Sequence, residues 1–102
     1  MGVYELAQPA EDDLTTIATY TLETWGAEQA ARYLDGLEDC CQLLANTLVL
    51  GRTCDHLLPG LLRLEHGKHV VFFRRTGKGI RVLRFLHERM LPELHLFEEQ
   101  AE

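Results

Sequence analysis

An α+β fold is predicted for this 102-residue chain: an N-terminal strand, an antiparallel helical hairpin, then a three-stranded antiparallel meander. Three observations predict it. Apolar side chains recur at helical spacing from Leu14 to Leu44, three short apolar runs follow between Leu61 and His87, and His66-Gly67 and Gly77-Lys78-Gly79 punctuate those runs. At 46% hydrophobic composition the chain can bury one modest core, so residues 1–102 are expected to form a single domain.

The opening Val3-Tyr-Glu-Leu-Ala7 alternates like a strand and must end before Pro9. Proline near the first helical position, followed by Glu11, Asp12 and Asp13, starts a helix well because carboxylates oppose the positive end of its dipole. Leu14, Ile17, Ala18, Leu22 and Trp25 then form its apolar face, with Trp25 expected to anchor the hairpin in the core and Gly26 to stop the helix. A second helix should run from about Ala27 to Leu44. Its seam of Ala30, Leu34, Leu37, Cys41, Leu44 and Leu48 is narrow, as expected of two antiparallel helices joined by a short connection. Residues 46–59 carry the breakers Gly51, Asp55 and Pro59 and read as irregular.

If His66-Gly67 is a two-residue turn, Glu65 faces Lys68, Arg63 faces Val70 and Leu61 faces Phe72. Leu62, Leu64, Val71 and Phe73 then share the face that suits the helices. Leu61, Arg63, Val70, Phe72 and Arg74 share the other, an apolar stripe flanked by arginines and expected to lie open as a docking surface. The next turn leaves two parities open, so the facing of Arg81 and Arg84 stays undecided. Beyond it, Pro92 interrupts regular structure, yet Leu91, Leu94, Leu96 and Phe97 are apolar enough that the segment should fold back or meet a partner. Arg75 and Lys78, beside a turn, read as solvated.

Charge is segregated along the chain. Residues 1–50 hold one basic residue, Arg32, against nine acidic ones, whereas residues 51–89 hold nine basic against three acidic. The net charge of −6 argues against a protein that coats nucleic acid, so no direct nucleic-acid binding is expected; the basic sheet should instead receive an acidic partner. No basic n-region precedes a long apolar stretch, Leu6 stands where a myristoylation signal wants Ser or Thr, and no apolar run suggests a membrane span. A cytoplasmic protein with reduced Cys40, Cys41 and Cys54 is the expectation. His66 and His69, with Cys54 and His56, could be read as zinc ligands, but no Cys-x-x-Cys accompanies them, so neither metal nor cofactor is expected.

Pro9-Ala-Glu-Asp-Asp-Leu14, Tyr20 to Trp25-Gly26, Gln29-Ala-Ala-Arg-Tyr-Leu34, Leu50-Gly-Arg52, Leu58-Pro-Gly-Leu61, Gly67-Lys-His-Val-Val-Phe-Phe-Arg74 and Ile80 to Met90 follow one another in an order that resembles the ParE family. That family lies within the RelE/ParE superfamily of bacterial toxins. The resemblance implies the toxin of a type II toxin-antitoxin system, which causes growth arrest by binding DNA gyrase and blocking replication. It would be neutralised in a hetero-oligomer by a ParD-like antitoxin, and inhibition by binding requires no catalytic residue. Antitoxin contacts are expected at Leu61, Arg63, Val70, Phe72 and Arg74, and target contacts, near the sheet's C-terminal end, at Arg84, His87 and Arg89. The related ribonuclease toxins supply the competing function, with Arg74, Arg84, His87 and Arg89 as its groups. Against it, Val70 occupies the strand position where that branch carries arginine, and Tyr4, Tyr20 and Tyr33 all lie in the first third of the chain. A third reading is an antitoxin-binding module without toxicity.

Overall fold

The computed structural model describes residues 2–47 and 49–96. Leu48, assigned above to the helical seam, and Phe97, assigned to the apolar tail, lie outside the described residues. Strand β1 (Val3–Leu6) passes through the extended Ala7 into helix α1 (Gln8–Trp25), whose first turn tolerates Pro9 because an N–H there would have no helical acceptor. A single residue, Gly26, then reverses the chain into helix α2 (Ala27–Asn46). Its φ of +89° is open to glycine and costly for other residues, and its N–H and C=O bond Leu22 O and Ala30 N, each at 3.0 Å, so it serves both helix ends.

Strand β2 (Arg52–Thr53) follows, then β3 (Leu62–His66), β4 (His69–Arg75) and β5 (Gly79–His87), and a short 3-10 turn at Pro92–Leu94. The sheet is mixed, in the order β1-β5-β4-β3-β2. β3, β4 and β5 pair antiparallel in succession, but the sheet is wider than the expected meander: β1 pairs parallel with β5, and β2 extends the opposite edge. The β3–β4 turn is centred on Gly67-Lys68 rather than His66-Gly67, pairing His66 with His69 and Arg63 with Phe72. Gly67, at φ +57°, supplies the left-handed residue that this turn needs. Because the register moves by two positions and side chains alternate with a period of two, the assignment of faces survives.

Both helices cover one face of the sheet. Ile17, Leu37, Cys41 and Leu44 pack there against Val71, Phe73, Ile80, Val82 and Phe85. Burial pushes the Cys41 thiol up to about 12, with lesser contributions from Cys40 and Glu38, so it behaves as a small apolar core residue. Arg75 is not merely solvated: it bonds Leu44 O (3.0 Å) and Leu50 O (2.7 Å) and lies over Phe73, satisfying a carbonyl near the C-terminus of α2.

The hairpin outruns the sheet. Ala7 N–H bonds Val82 O at 2.9 Å, and Asp13 lies beside Phe85, so α1 runs along β5 in the same direction. From Val82 to His87 the strand advances about 17 Å, whereas α1 advances about 27 Å. Nearly the last two turns of α1 therefore overhang, and Leu22 and Trp25 are 52% and 67% exposed instead of anchoring the core as expected.

Candidate functional site on the outer sheet face

On the face away from the helices, Leu61, Val70 and Phe72 lie together as expected from parity and meet Leu83 and Leu86, but the stripe is not open. Cys54, Leu58 and Leu96 close over it, leaving Leu61, Val70 and Phe72 only 0%, 5% and 1% exposed. The cover is ordered by its own backbone. Cys54 N–H bonds Leu61 O (2.8 Å), Cys54 O accepts from Leu57 and Leu58, and Asp55 Oδ1 accepts from Gly60 (2.9 Å). From the other side Leu96 N–H bonds Pro92 O (3.0 Å), which brings the Leu96 side chain back onto the sheet. The tail thus folds back as expected, through Leu96, while Leu91 and Leu94 remain exposed. Leu61, Val70 and Phe72 form a second, smaller core, and in this arrangement they offer no surface to a partner.

What the outer face does present is its arginine rim. Sheet register aligns Arg52, Arg63, Phe72 and Arg84 across four strands. The Arg63 guanidinium sits 5.7 Å from the Phe72 ring centroid and bonds Glu65 Oε2 at 2.7 Å, and Arg52 bonds the same oxygen. Partial burial works to raise the Glu65 pKa, but hydrogen bonds from Arg63 and Arg52 prevail and hold it below the usual carboxylate value. Two guanidinium groups share one carboxylate beside a shallow basin lined by Arg52, Thr53, Cys54, His56 and Arg63. The basin suits a further carboxylate on a partner. Burial raises the Cys54 thiol pKa, opposed by Arg63 and Arg52, and the side chain packs as an apolar residue against Phe72 and its neighbours. Arg74 is exposed and faces Arg81 across β4 and β5, and Arg81 lies 3.7 Å from Glu5.

Arg84 belongs to the interior instead. A bulge between Phe72 and Phe73 pairs Phe72 with Arg84 but Phe73 with Val82, making Leu83 the extra residue; a register break of this kind cannot be read from parity. β1 pairs with β5 only as far as Leu6 and Val82, so the rest of that strand edge needs another partner. Asp13 supplies it: Oδ2 accepts the Phe85 N–H (2.9 Å), and the carboxylate takes a two-pronged bond from Arg84, at 2.7 and 2.8 Å. Arg84 also bonds His95 O at 2.9 Å. One side chain thereby joins α1, β5 and the C-terminal turn, and it is not displayed to a target.

At the end of β5, His87 and Arg89 are accessible, with the Arg89 N–H on His87 Nδ1 at 3.2 Å. His87 stands edge-on to His69, ring centroids 5.5 Å apart, and His69 in turn meets Tyr33 of α2. His66 packs against the same tyrosine, 5.8 Å between centroids. Burial lowers the His69 pKa, and the neighbouring His87 and His66 lower it further. Of the residues expected to act, the structure leaves Arg63, Arg74, His87 and Arg89 accessible and takes Leu61, Val70, Phe72 and Arg84 into the interior. Sequence reading missed Arg52, Glu65, Asp13 and Tyr33. Only Arg52 and Glu65 left a signal, as opposite charges on segments that pair; Asp13 lies 71 residues from Arg84 and reads as a helix-start acid.

Residues 4–92 match the family model described as the ParE toxin of the type II toxin-antitoxin system parDE. Over 88 residues the chain is 40% identical to Toxin ParE1 of Mycobacterium tuberculosis, covering 85% of this chain and 90% of that one. Toxin ParE1 of Caulobacter vibrioides is 36% identical over 96 residues, covering 94% and 99%. Among solved structures, a chain of the chromosomal ParDE toxin-antitoxin system from P. aeruginosa superposes with a TM-score of 0.71 at 24% identity, covering 85% of this chain and 96% of that one, a likeness of fold.

Proposed function

The chain belongs to the ParE toxin family of type II toxin-antitoxin systems, and from that premise we propose that it arrests growth by binding DNA gyrase and blocking replication. A ParD-like antitoxin neutralises it through carboxylates placed on the arginine rim at Arg52, Arg63 and Arg74. The protein acts in the cytoplasm, in keeping with the absence, among the described residues, of any helix long and apolar enough to cross a membrane.

The observation that favours inhibition by binding over RNA cleavage is the dispersal of the groups a ribonuclease would need. His87 pairs with His69, and Arg74 lies five residues further along β4, about 17 Å away. Arg84 is consumed by Asp13, and Val70 is buried under the loop that precedes β3. General acid-base catalysis requires its groups within hydrogen-bonding reach of one phosphate; His87 and Arg89 adjoin at the end of β5, but Arg74 and Arg84 cannot join them there. The deciding experiment adds purified protein to gyrase and supercoiled plasmid. Inhibited supercoiling or trapped cleaved plasmid supports the proposal; normal supercoiling together with prompt cleavage of messenger RNA at ribosomes overturns it.

A further inference from the structure

We propose that the overhanging tip of the helical hairpin, with Leu22 and Trp25 on one face of α1, is the surface that engages the toxin's target, and that the target meets it with a cationic protein surface containing an apolar recess. The inference rests on the toxin reading above but not on gyrase being the target. Leu22 and Trp25 are three residues apart and so adjoin on the helix surface, and both are more than half exposed. A tryptophan is usually covered over most of its area within its own domain, and when displayed it is among the side chains that carry most binding energy. The sheet cannot cover this one, since β5 ends roughly 10 Å short of the tip. Around Gly26 the space is open as well: a Cβ built there meets no atom within 4 Å.

Charge identifies the partner. The two helices carry eight carboxylates. Asp13 is consumed by Arg84, and the remaining seven are exposed, Glu23 and Glu28 flanking the tip. Against them the helices hold one cation, Arg32, already bonded to Glu28 at 2.5 Å. An acidic partner would be repelled from this pole and drawn to the arginine rim of the sheet. The two poles therefore call for oppositely charged partners, and the antitoxin that fits the rim leaves the tip to the target.

Trp25 is the chain's one tryptophan, so incorporation of 5-fluorotryptophan places a single 19F resonance at the tip. Purified gyrase holoenzyme should shift or broaden that resonance, and the antitoxin should leave it in place. Trp25→Ala and Leu22→Gln should each reduce growth arrest on induction at least tenfold while antitoxin affinity and melting temperature hold. If gyrase leaves the resonance unmoved but Trp25→Ala abolishes arrest, the gyrase reading fails and the tip remains the target surface. Growth arrest by Trp25→Ala equal to wild type overturns the inference, as does a resonance moved by the antitoxin. Absence of arrest by the wild-type protein overturns both.

Discussion

The Tyr33 hydroxyl lies 2.5 Å from His69 Nδ1 and thereby ties α2 to the β3–β4 hairpin. The same oxygen accepts the Lys68 N–H at 3.3 Å and lies 3.3 Å from His66 O. Tyrosine has one proton to give. With His69 neutral, Nδ1 accepts it; with His69 charged, both nitrogens become donors and the pair must reverse its hydrogen bond.

Stability should accordingly fall in mild acid. The folded His69 pKa is depressed from its ordinary 6.5, through burial first and then His87 and His66, with Asp13 and Glu88 opposing. Between that depressed value and 6.5 the unfolded chain binds more protons than the folded one, so stability rises with pH there. The contribution is complete above about pH 6.5 and is lost as pH falls through the folded value. Urea midpoints measured from pH 7.5 to 5 should decline, and His69→Gln should flatten that slope. An equal slope in the variant would exclude His69 as its source.

Removing one partner of the Asp13–Arg84 pair should cost about 3 kcal/mol, because the other is left with little water; the side chains are 14% and 10% exposed. For a domain of this size that lowers the melting temperature by roughly 10 °C or more. Arg84→Ala and Asp13→Ala should each show it, and the double variant should lose less than the sum of the two, measured as a double-mutant cycle.

Much of this fold was legible because it depends on local chemistry. Pro9 and Gly26 mark the ends of α1, and the faces of β3 and β4 are the same for either two-residue turn, His66-Gly67 or Gly67-Lys68. Other features depend on residues that do not announce themselves. The bulge at Phe72/Phe73 decides the place of Arg84, yet no glycine marks it. Leu57 and Leu58 lie between Asp55 and Pro59 and read as loop, so nothing local says that this loop closes over Phe72. Trp25 follows helical spacing faithfully, but whether a sheet lies beneath it depends on the relative lengths of α1 and β5.

Burial of the outer stripe changes which substitution tests the antitoxin surface. Phe72→Ala should cost about 3 kcal/mol of folding stability, as should Phe73→Ala, and so reports on the second core. Arg74→Glu is exposed and should leave stability within about 0.5 kcal/mol while weakening antitoxin binding about tenfold or more. Isothermal titration of folded Arg74→Glu at wild-type affinity would move the antitoxin off this rim.

Arg89→Ala removes an exposed cation whose backbone N–H, on His87, is untouched by the change. Melting temperature should hold to within the equivalent of roughly 0.5 kcal/mol, antitoxin affinity should be unchanged, and toxicity should drop. Retention of full toxicity in a plating assay would remove the end of β5 from the target contact.

The parallel pairing of β1 with β5 has a consequence for synthesis. Val3 finds its neighbour at Gly79, so the first strand waits while 75 intervening residues are made, roughly 4–15 s at common elongation rates. Until then the apolar face of the hairpin has no sheet to cover it, and closing so long a loop is a late, non-local event in folding. The toxin therefore cannot mature from its N-terminus onward. The fold is closed only once β5 has been made, which leaves an interval in which antitoxin already present can meet the chain before its sheet is complete.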